Sequence, residues 1–291
     1  MLTSPRASAL PRSDTRNGNG SRRSPKIGVL MLHGLGGSPA ELYPLASELT
    51  ARGYRVSSPR LDGLSGGTDH DDRTQWSDWL RLAEAEYDLL EKQCDEVHVC
   101  GFCGGALLAA LLANSGRRSF GDMVLISPTF TADGWSVPYS LQLYKLVTMR
   151  WLARLFKFKD RPPFGLKDER MRVVVRRMLE RTHKPEERFF EISGVKMMEF
   201  NRLARVARKA LNKIRSRTLI VHARLDDVSS LGNAELIARK IGARAEILVL
   251  DDCYHEVLLD AQRVFAIQSI VNFFAATAMR QTVRERDLEF A

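Results

Sequence analysis

The chain has 291 residues, 44% of them hydrophobic and 27% charged, which is the composition of a globular protein with one extensive core. No apolar run reaches the roughly 18 residues that a membrane-spanning helix needs, so none is predicted. Four cysteines without metal-ligand spacing predict neither a metal site nor a redox cofactor, and a reducing cytoplasm is the expected compartment.

Residues 1–25 are rich in Ser, Arg, Gly and Asn and contain no apolar core of the kind that a secretion signal has. Such low hydrophobicity predicts a disordered tail. A transit peptide is the alternative, because Arg and Ser are abundant, although the segment shows little amphipathic pattern.

The first apolar run, Lys26–Leu32, predicts a buried strand, and it leads into a glycine-rich turn, His33-Gly34-Leu35-Gly36-Gly37. Ser38 is the predicted N-cap of a helix, with Pro39 at its first position and Glu41 completing a capping box. The elements predicted next are a helix ending at Gly53, a strand over Tyr54–Ser58, a loop over Pro59–Asp72 and a helix over Trp76–Leu90.

The centre of the chain is an abrupt change from strand to helix. Val97–Cys100 predicts a short buried strand, strong helix formers follow residue 105, and between them lies Gly101-Phe102-Cys103-Gly104-Gly105. This Gly-x-Cys-x-Gly pattern predicts a nucleophile elbow with a strained backbone at Cys103, where a thiolate would gain from the helix dipole. The alternative is a buried structural cysteine. Cys100 lies inside the strand and is interpreted as a core residue rather than a redox partner of Cys103.

Strand and helix patterns alternate through the rest of the chain, except over residues 129–215. That segment has helical patterns at roughly 136–158, 167–181 and 193–213. The regular elements are strands over Met123–Ser127, Thr218–His222 and Ala245–Leu250, helices over Leu231–Ile241 and Ala261–Met279, and a charged tail over 281–291. Such alternation predicts an α/β fold with a mostly parallel sheet covered by helices on both faces. Residues 26–128 and 216–280 would form this core, and 129–215 a helical cap over the carboxyl edge of the sheet.

The predicted cap is strongly basic. Residues 129–215 contain 21 Lys and Arg against 9 Asp and Glu, whereas the whole chain carries a net charge of only +9. Within it, Trp135–Lys159 interleaves aromatic and aliphatic residues with five cations. This pattern favours a lid for an acyl chain, a contact with an anionic membrane surface or a landing site for an acyl carrier. The alternative is a helix whose apolar face packs on the core. No nucleic-acid-binding motif is present, so no nucleic acid partner is expected, and the oligomeric state is left open.

From Lys26 to the last helix, about 260 residues, the chain resembles the α/β-hydrolase superfamily, and within it bacterial carboxylesterases and monoacylglycerol-lipase-like proteins. Four stretches carry the resemblance in the family order. They are His33-Gly34-Leu35-Gly36-Gly37-Ser38-Pro39 at the oxyanion loop, Gly101-Phe102-Cys103-Gly104-Gly105 at the elbow, His222-Ala223-Arg224-Leu225-Asp226-Asp227-Val228 at the triad acid, and Asp252-Cys253-Tyr254-His255 at the triad histidine.

The resemblance implies an acyl hydrolase or acyltransferase that acts on small ester or thioester substrates through an acyl-enzyme. Cys103 would be the nucleophile, His255 the base and Asp226 the acid, with Asp227 as a rival for the acid. The backbone N–H groups of Leu35 and Gly104 would form the oxyanion hole, and the protein would be cytoplasmic or peripheral to the membrane. The alternative is a catalytically dead homologue that binds acyl groups or docks on membranes.

The chain departs from the family pattern in two places. Most of these esterases have serine at the elbow, whereas Cys103 resembles the elbow of dienelactone hydrolases and polyhydroxyalkanoate synthases, which favours thioesters, lactones and acyl transfer. The loop Asp62-Gly63-Leu64-Ser65 stands where Pro-Gly-His-Gly is common.

The remaining histidines and Cys253 receive structural interpretations. His33 and His222 are assigned to tight turns and His70, His98 and His183 to the surface. Cys253 is interpreted as a packing residue, with a disulfide to Cys103 under oxidation as the alternative.

Overall fold

The computed structural model of the chain describes residues 25–65, 73–117, 120–159, 162–181 and 191–289. Its central sheet has six parallel strands in the order β2-β1-β3-β4-β7-β8, and β5 and β6 form a separate antiparallel pair. The strands are β1 (Ile27–Leu32), β2 (Arg55–Ser57), β3 (Glu96–Phe102), β4 (Phe120–Ile126), β5 (Lys157–Lys159), β6 (Glu191–Ser193), β7 (Thr218–Ala223) and β8 (Ala245–Leu250).

Helices cover both faces of this sheet, as predicted. They are α1 (Tyr43–Ala51), α2 (Trp76–Glu91), α3 (Gly104–Leu112), α4 (Tyr139–Tyr144), α5 (Arg150–Ala153), α6 (Glu169–Arg181), α7 (Gly194–Ala210), α8 (Gly232–Ile241) and α9 (Arg263–Glu289), with 3₁₀ turns over Pro39–Leu42 and Leu211–Lys213. Along β1, Leu30 and Leu32 pack with α2 and α3, whereas Val29 and Met31 pack with α1 and α9. This alternation across a strand divides the core into two layers and confirms the α/β interpretation. Among the described residues, none of the helices combines the length and apolar character needed to cross a membrane.

Local sequence signals locate the elements of the core well. The capping box of Ser38 and Glu41 is present, with Pro39 at the start of the turn. Gly53 has a φ of 87° where the first helix ends. The last helix continues to Glu289, ten residues beyond its predicted end, so residues 281–289 of the predicted charged tail belong to this helix.

The segment 129–215 differs from its prediction at its amino end. The helix predicted over 136–158 is divided into α4, α5 and strand β5. The break between α4 and α5 spans residues 145–149, which include the β-branched pair Val147-Thr148 and Met149 with an extended backbone. Further along, Phe158 of β5 pairs with Ile192 of β6. The other two helical patterns correspond to α6 and to α7 with its 3₁₀ turn. The limits assigned to core and cap stay a prediction, and the tail predicted over 1–25 lies almost wholly outside the described residues.

The parallel sheet decides where a site can form. The loops after β1, β3, β4, β7 and β8 all leave the carboxyl edge of the sheet, and each carries polar or glycine-rich sequence. Open α/β sheets bind ligands at this edge. Helix α7 packs against α2 and α3, and so lies beside the turn that joins β3 to α3.

Candidate active site

The elbow is a strained point of this edge. Cys103 connects β3 to α3 with φ 49° and ψ −109°, a backbone region that costs a non-glycine residue free energy. A Cβ at Gly101 would collide with the backbone of Gly105, and one at Gly105 would collide with the Leu32 carbonyl. The glycines are therefore required by close backbone contacts, and the strain predicted at Cys103 is present.

His255 and Asp226 form a buried hydrogen-bonded pair beside the elbow. The His255 Nδ1 lies 2.8 Å from Asp226 Oδ2 and 3.0 Å from Oδ1. Asp226 Oδ1 also accepts hydrogen bonds of 2.8 Å from the backbone N–H groups of Val228 and Ser229, which hold the carboxylate in place. Burial raises the pKa of Asp226, but the nearby imidazole of His255 and these hydrogen bonds outweigh it, so the pKa lies below its usual value. Asp226 is therefore an ionised partner for the imidazole.

The second ring nitrogen of His255 is available for proton transfer. Its Nε2 is buried and has no hydrogen-bond partner within the described part of the chain. Burial by itself lowers the pKa of His255, but the Asp226 carboxylate and then the Cys103 sulfur outweigh it and raise that pKa well above its usual range. The Phe102 ring packs on the imidazole at a centroid distance of 5.2 Å. The structure thus brings Cys103, His255 and Asp226 into one interacting group.

Asp227 is buried rather than solvated, and it does not bond the imidazole. Its two carboxylate oxygens accept hydrogen bonds of 3.2 Å from the backbone N–H groups of His255 and Gly165. Burial raises the pKa of this carboxyl. Asp227 therefore ties the loop that carries His255 to the segment around Gly165, while Asp226 occupies the place beside the ring.

Two backbone N–H groups meet where an oxyanion hole was predicted. A Cβ at Gly104 would lie 3.2 Å from the Leu35 nitrogen, so the two residues are adjacent. Gly104 opens α3, where the first N–H groups have no partner inside the helix. Neither N–H donates a hydrogen bond to another residue that the structure describes. The predicted pair, Leu35 and Gly104, therefore presents two available donors beside Cys103.

Sequence reasoning missed a group of hydroxyls close to the sulfur. The Cys103 thiol lies 3.4 Å from the Thr129 Oγ1, which is 3.1 Å from the Ser127 carbonyl and 3.2 Å from the Ser229 Oγ. Ser229 Oγ is in turn 3.4 Å from Asp226 Oδ2. The position of Ser127 and Thr129 directly after β4, at the active edge of the sheet, is the signal that could have found them.

Among the other histidines that the structure describes, His98 differs from its prediction. His33 Nε2 accepts a hydrogen bond from the Leu61 N–H, and His222 Nε2 contacts the Ser229 carbonyl, so both have the structural roles that were predicted. The surface position predicted for His98 is wrong: it is fully buried, stacks on Phe274 at 4.8 Å, and burial lowers its pKa to about 4. A strand covered on both faces buries every side chain, which explains the error. His70 and His183 lie outside the described residues.

The remaining cysteines are free thiols in the structure. Burial raises the pKa of Cys100, consistent with a core residue, and burial raises the pKa of Cys253 to about 11. Cys253 accepts a hydrogen bond from the Gln262 N–H at 3.3 Å, which fits its assignment as a packing residue. Within the described ranges, no group of three His, Cys, Asp or Glu side chains is arranged to hold a metal ion.

Comparisons with known proteins agree with the fold described above. A sequence profile of the Alpha/beta hydrolase family matches residues 29–267. A thermostable monoacylglycerol lipase from Bacillus sp. (strain H-257) is 26% identical over 263 residues, which cover 87% of this chain and 92% of that protein. A structure from LipS and LipT, two metagenome-derived lipolytic enzymes, superposes with a TM-score of 0.70 at 23% identity, covering 87% and 95% of the two chains. The monoacylglycerol lipase of Paleococcus ferrophilus gives a TM-score of 0.68 at 17% identity, covering 86% and 94%.

Proposed function

The chain belongs to the alpha/beta hydrolase family, and on that premise we propose that it cleaves carboxylic esters and thioesters through an acyl-enzyme on Cys103. The observation that carries the proposal is the orientation of His255. Its Nδ1 is held by Asp226, and its buried Nε2 has no other partner among the described residues and lies beside the Cys103 sulfur. An imidazole oriented in this way is the general base that a nucleophilic thiol needs.

In the proposed first step, His255 Nε2 takes the thiol proton and the Cys103 sulfur bonds to the carbonyl carbon of the substrate. The carbonyl oxygen becomes an oxyanion, which accepts hydrogen bonds from the N–H groups of Leu35 and Gly104. One such donor is typically worth about 3 kcal/mol of activation free energy. The imidazolium of His255 then returns the proton to the departing alcohol or thiol, which leaves an acyl thioester on Cys103.

In the proposed second step, an acceptor releases the acyl group. His255 deprotonates water, which attacks the thioester, and the thiol of Cys103 leaves with the proton. Because a thioester keeps its acyl group activated, an alcohol, amine or thiol in place of water would give acyl transfer by the same steps.

The acyl part of the substrate is proposed to be mainly apolar. Helix α7 buries Met197, Met198 and Phe200. A Cβ at Gly104 would lie 3.2 Å from the edge of the Phe200 ring, so this ring lies next to the proposed oxyanion hole. The relatives named above as monoacylglycerol lipases and lipolytic enzymes favour the same class of substrate.

The proposal is tested by weighing the intact protein after incubation with a medium-chain acyl thioester and, separately, with a p-nitrophenyl ester of the same acid. We expect a mass gain of one acyl group that is absent from Cys103→Ala, together with release of the leaving group. If neither substrate acylates the wild-type protein or is hydrolysed by it, the alternative of a non-catalytic acyl-binding protein takes its place.

We further propose that this enzyme works at an anionic lipid surface, which it contacts through part of the segment 129–215. Large apolar side chains are exposed along 21 residues of this segment. This cap surface comprises Trp135, Tyr139, Leu143, Leu146, Met149, Trp151 and Leu155, each more than half exposed. The alternative of a helix that packs all its apolar residues on the core therefore does not apply to these side chains.

Two further observations favour a lipid partner. Tyr144 and Ala153 bury the inner side of the same segment against α7, so the exposed residues are held on a folded support. Trp135 also packs edge-on against Tyr254 at 5.3 Å, which places one end of the cap surface next to the loop of His255. Exposed aromatic residues among an excess of Lys and Arg are the pattern of an interfacial membrane contact.

Sedimentation with vesicles tests the membrane partner. We expect the protein to bind vesicles containing phosphatidylglycerol about tenfold or more tightly than vesicles of phosphatidylcholine alone, because basic residues near an anionic surface contribute about 1 kcal/mol each. Trp151→Glu should weaken this binding, whereas Phe265→Glu, at an exposed aromatic residue on α9, should not. Equal binding of both variants, or no binding to either vesicle, contradicts the proposal, and co-elution with an acyl carrier protein instead would assign the surface to that partner.

A further inference from the structure

A continuous line of hydroxyl groups connects the Cys103 sulfur to the carboxylate of Asp226. It runs from the thiol to the Thr129 Oγ1 at 3.4 Å, from there to the Ser229 Oγ at 3.2 Å, and on to Asp226 Oδ2 at 3.4 Å. Thr129 and Ser229 are almost fully buried, so these groups bond to one another rather than to bulk water. The sulfur thus has two connections to the same carboxylate, one through His255 and one through hydroxyls.

The acceptors at the ends of this line fix the direction of its hydrogen bonds. An ionised carboxylate and a carbonyl oxygen can only accept, so Ser229 donates its proton to Asp226. Thr129 has one proton, which it donates to the Ser127 carbonyl at 3.1 Å or to the Ser229 oxygen at 3.2 Å, because both oxygens are better acceptors than a thiol sulfur. In either arrangement, Thr129 turns a lone pair to Cys103. The hydroxyl therefore accepts a hydrogen bond from the thiol and does not donate one to a thiolate.

We propose that Thr129 is a positioning residue that favours the protonated form of Cys103 over the thiolate, and so limits how much thiolate the Cys103–His255 pair carries before a substrate binds. The inference rests on the proposed function, since it concerns the proton that Cys103 and His255 share. Asp226 draws that proton to the imidazole by stabilising its charged form. The Thr129 oxygen favours the proton on the sulfur, because only the protonated thiol can donate a hydrogen bond to this oxygen. Thr129 thus opposes premature ionisation of the nucleophile and limits its side reactions with oxidants and electrophiles, which attack the thiolate.

The test is the rate at which iodoacetamide alkylates Cys103 near neutral pH, followed by intact mass with peptide mapping. Thr129→Val keeps the shape of the side chain and removes the acceptor. We expect it to be alkylated about 3- to 10-fold faster than wild type, the factor that corresponds to one ordinary hydrogen bond. Thr129→Ser keeps the hydroxyl and should react at close to the wild-type rate.

Thr129→Ser is also the matched control for disturbance of this buried cluster. It removes a methyl group, and with it some packing, but it keeps the oxygen that accepts from the thiol, so alkylation should not accelerate. An unchanged or slower rate in Thr129→Val overturns the inference, since a slower rate means that the hydroxyl donates to the thiolate. Alkylation requires no substrate, so this result is independent of whether wild-type protein forms an acyl-enzyme.

Discussion

Replacing Cys103 with alanine is expected to lower kcat for ester hydrolysis by roughly 10⁵- to 10⁶-fold, the loss found when a nucleophile that acts as one unit with its base is removed. The oxyanion donors Leu35 and Gly104 remain, so a small residual rate over water should persist. Alanine is no more strained than cysteine at a φ of 49°, and the thermal midpoint should change little. Steady-state hydrolysis of a p-nitrophenyl ester and a thermal melt together measure both effects.

The matched control is Cys94→Ala, at a thiol near the opposite end of the sheet. Cys94 follows α2 and precedes β3, and its sulfur lies close to Gly28 of β1. Full activity in this variant, with loss in Cys103→Ala, separates nucleophilic chemistry from general sensitivity to loss of a cysteine. Equal activity of Cys103→Ala and wild type would remove Cys103 from the mechanism.

Serine at the same position distinguishes sulfur chemistry from an ordinary esterase site. Cys103→Ser should fold, because the two side chains have similar volumes, but it should not exceed the wild-type rate on esters. A serine hydroxyl needs more help from its base than a thiol does, and the Thr129 contact would be made by an oxygen instead. A many-fold gain in ester hydrolysis would contradict the proposal that the surroundings of Cys103 suit sulfur.

The elbow and the succession of strands and helices along the chain could be predicted because they depend on local sterics and on periodicity. Gly101 and Gly105 stand where backbone atoms leave no space for a Cβ, and this requirement is visible in the sequence as a glycine on each side of Cys103. The capping box of Ser38 and Glu41 is likewise formed within four residues. Both signals are local, so they can be recognised without knowing the contacts that the rest of the chain makes.

The features that escaped prediction depend on contacts between distant parts of the chain. Thr129 meets Cys103 across 26 residues and Ser229 across 100, and neither pairing leaves a pattern in the sequence. The strand β5 forms because Lys157–Lys159 pairs with Glu191–Ser193, which competes with the helical periodicity of the first segment. Tertiary partners, rather than intrinsic preferences, decide such cases.

Asp226 and Asp227 illustrate the same limit at the site. They are neighbours with identical side chains, and their order in the family pattern was the only basis for preferring the first. The loop after β7 separates them: Asp226 turns toward the imidazole, held by two backbone N–H groups of its own loop, and Asp227 turns toward the N–H groups of His255 and Gly165. Because only Asp226 bonds the imidazole, Asp227 serves as the matched control for Asp226.

Asp226→Asn is expected to lower kcat by roughly 10³- to 10⁴-fold, because an amide can bond the neutral imidazole in the wrong tautomer and cannot stabilise the imidazolium. Asp227→Asn should cost about 1–3 kcal/mol of stability, since one of its two N–H donors loses its acceptor, but it leaves the Asp226–His255 pair intact. Its kcat should therefore fall far less. Comparable losses in the two variants would contradict the assignment of Asp226 as the triad acid.

The difference in unfolding free energy between wild type and Asp226→Asn should also depend on pH, and this dependence identifies the interaction of Asp226 with His255. The pKa of His255 is raised in the folded protein, so its contribution to the free energy of unfolding is complete below the ordinary histidine pKa of about 6.5 and is lost as the pH rises through the raised value. The pKa of Asp226 is lowered, so its contribution is complete above about 3.9 and is lost as the pH falls through the lowered value. Urea unfolding should therefore show the largest stability difference between wild type and Asp226→Asn from about pH 4 to 6.5, narrowing at higher pH. A difference that does not vary with pH would mean that the charges of Asp226 and His255 do not interact. The proposal that Asp226 orients the base of Cys103 would then be wrong.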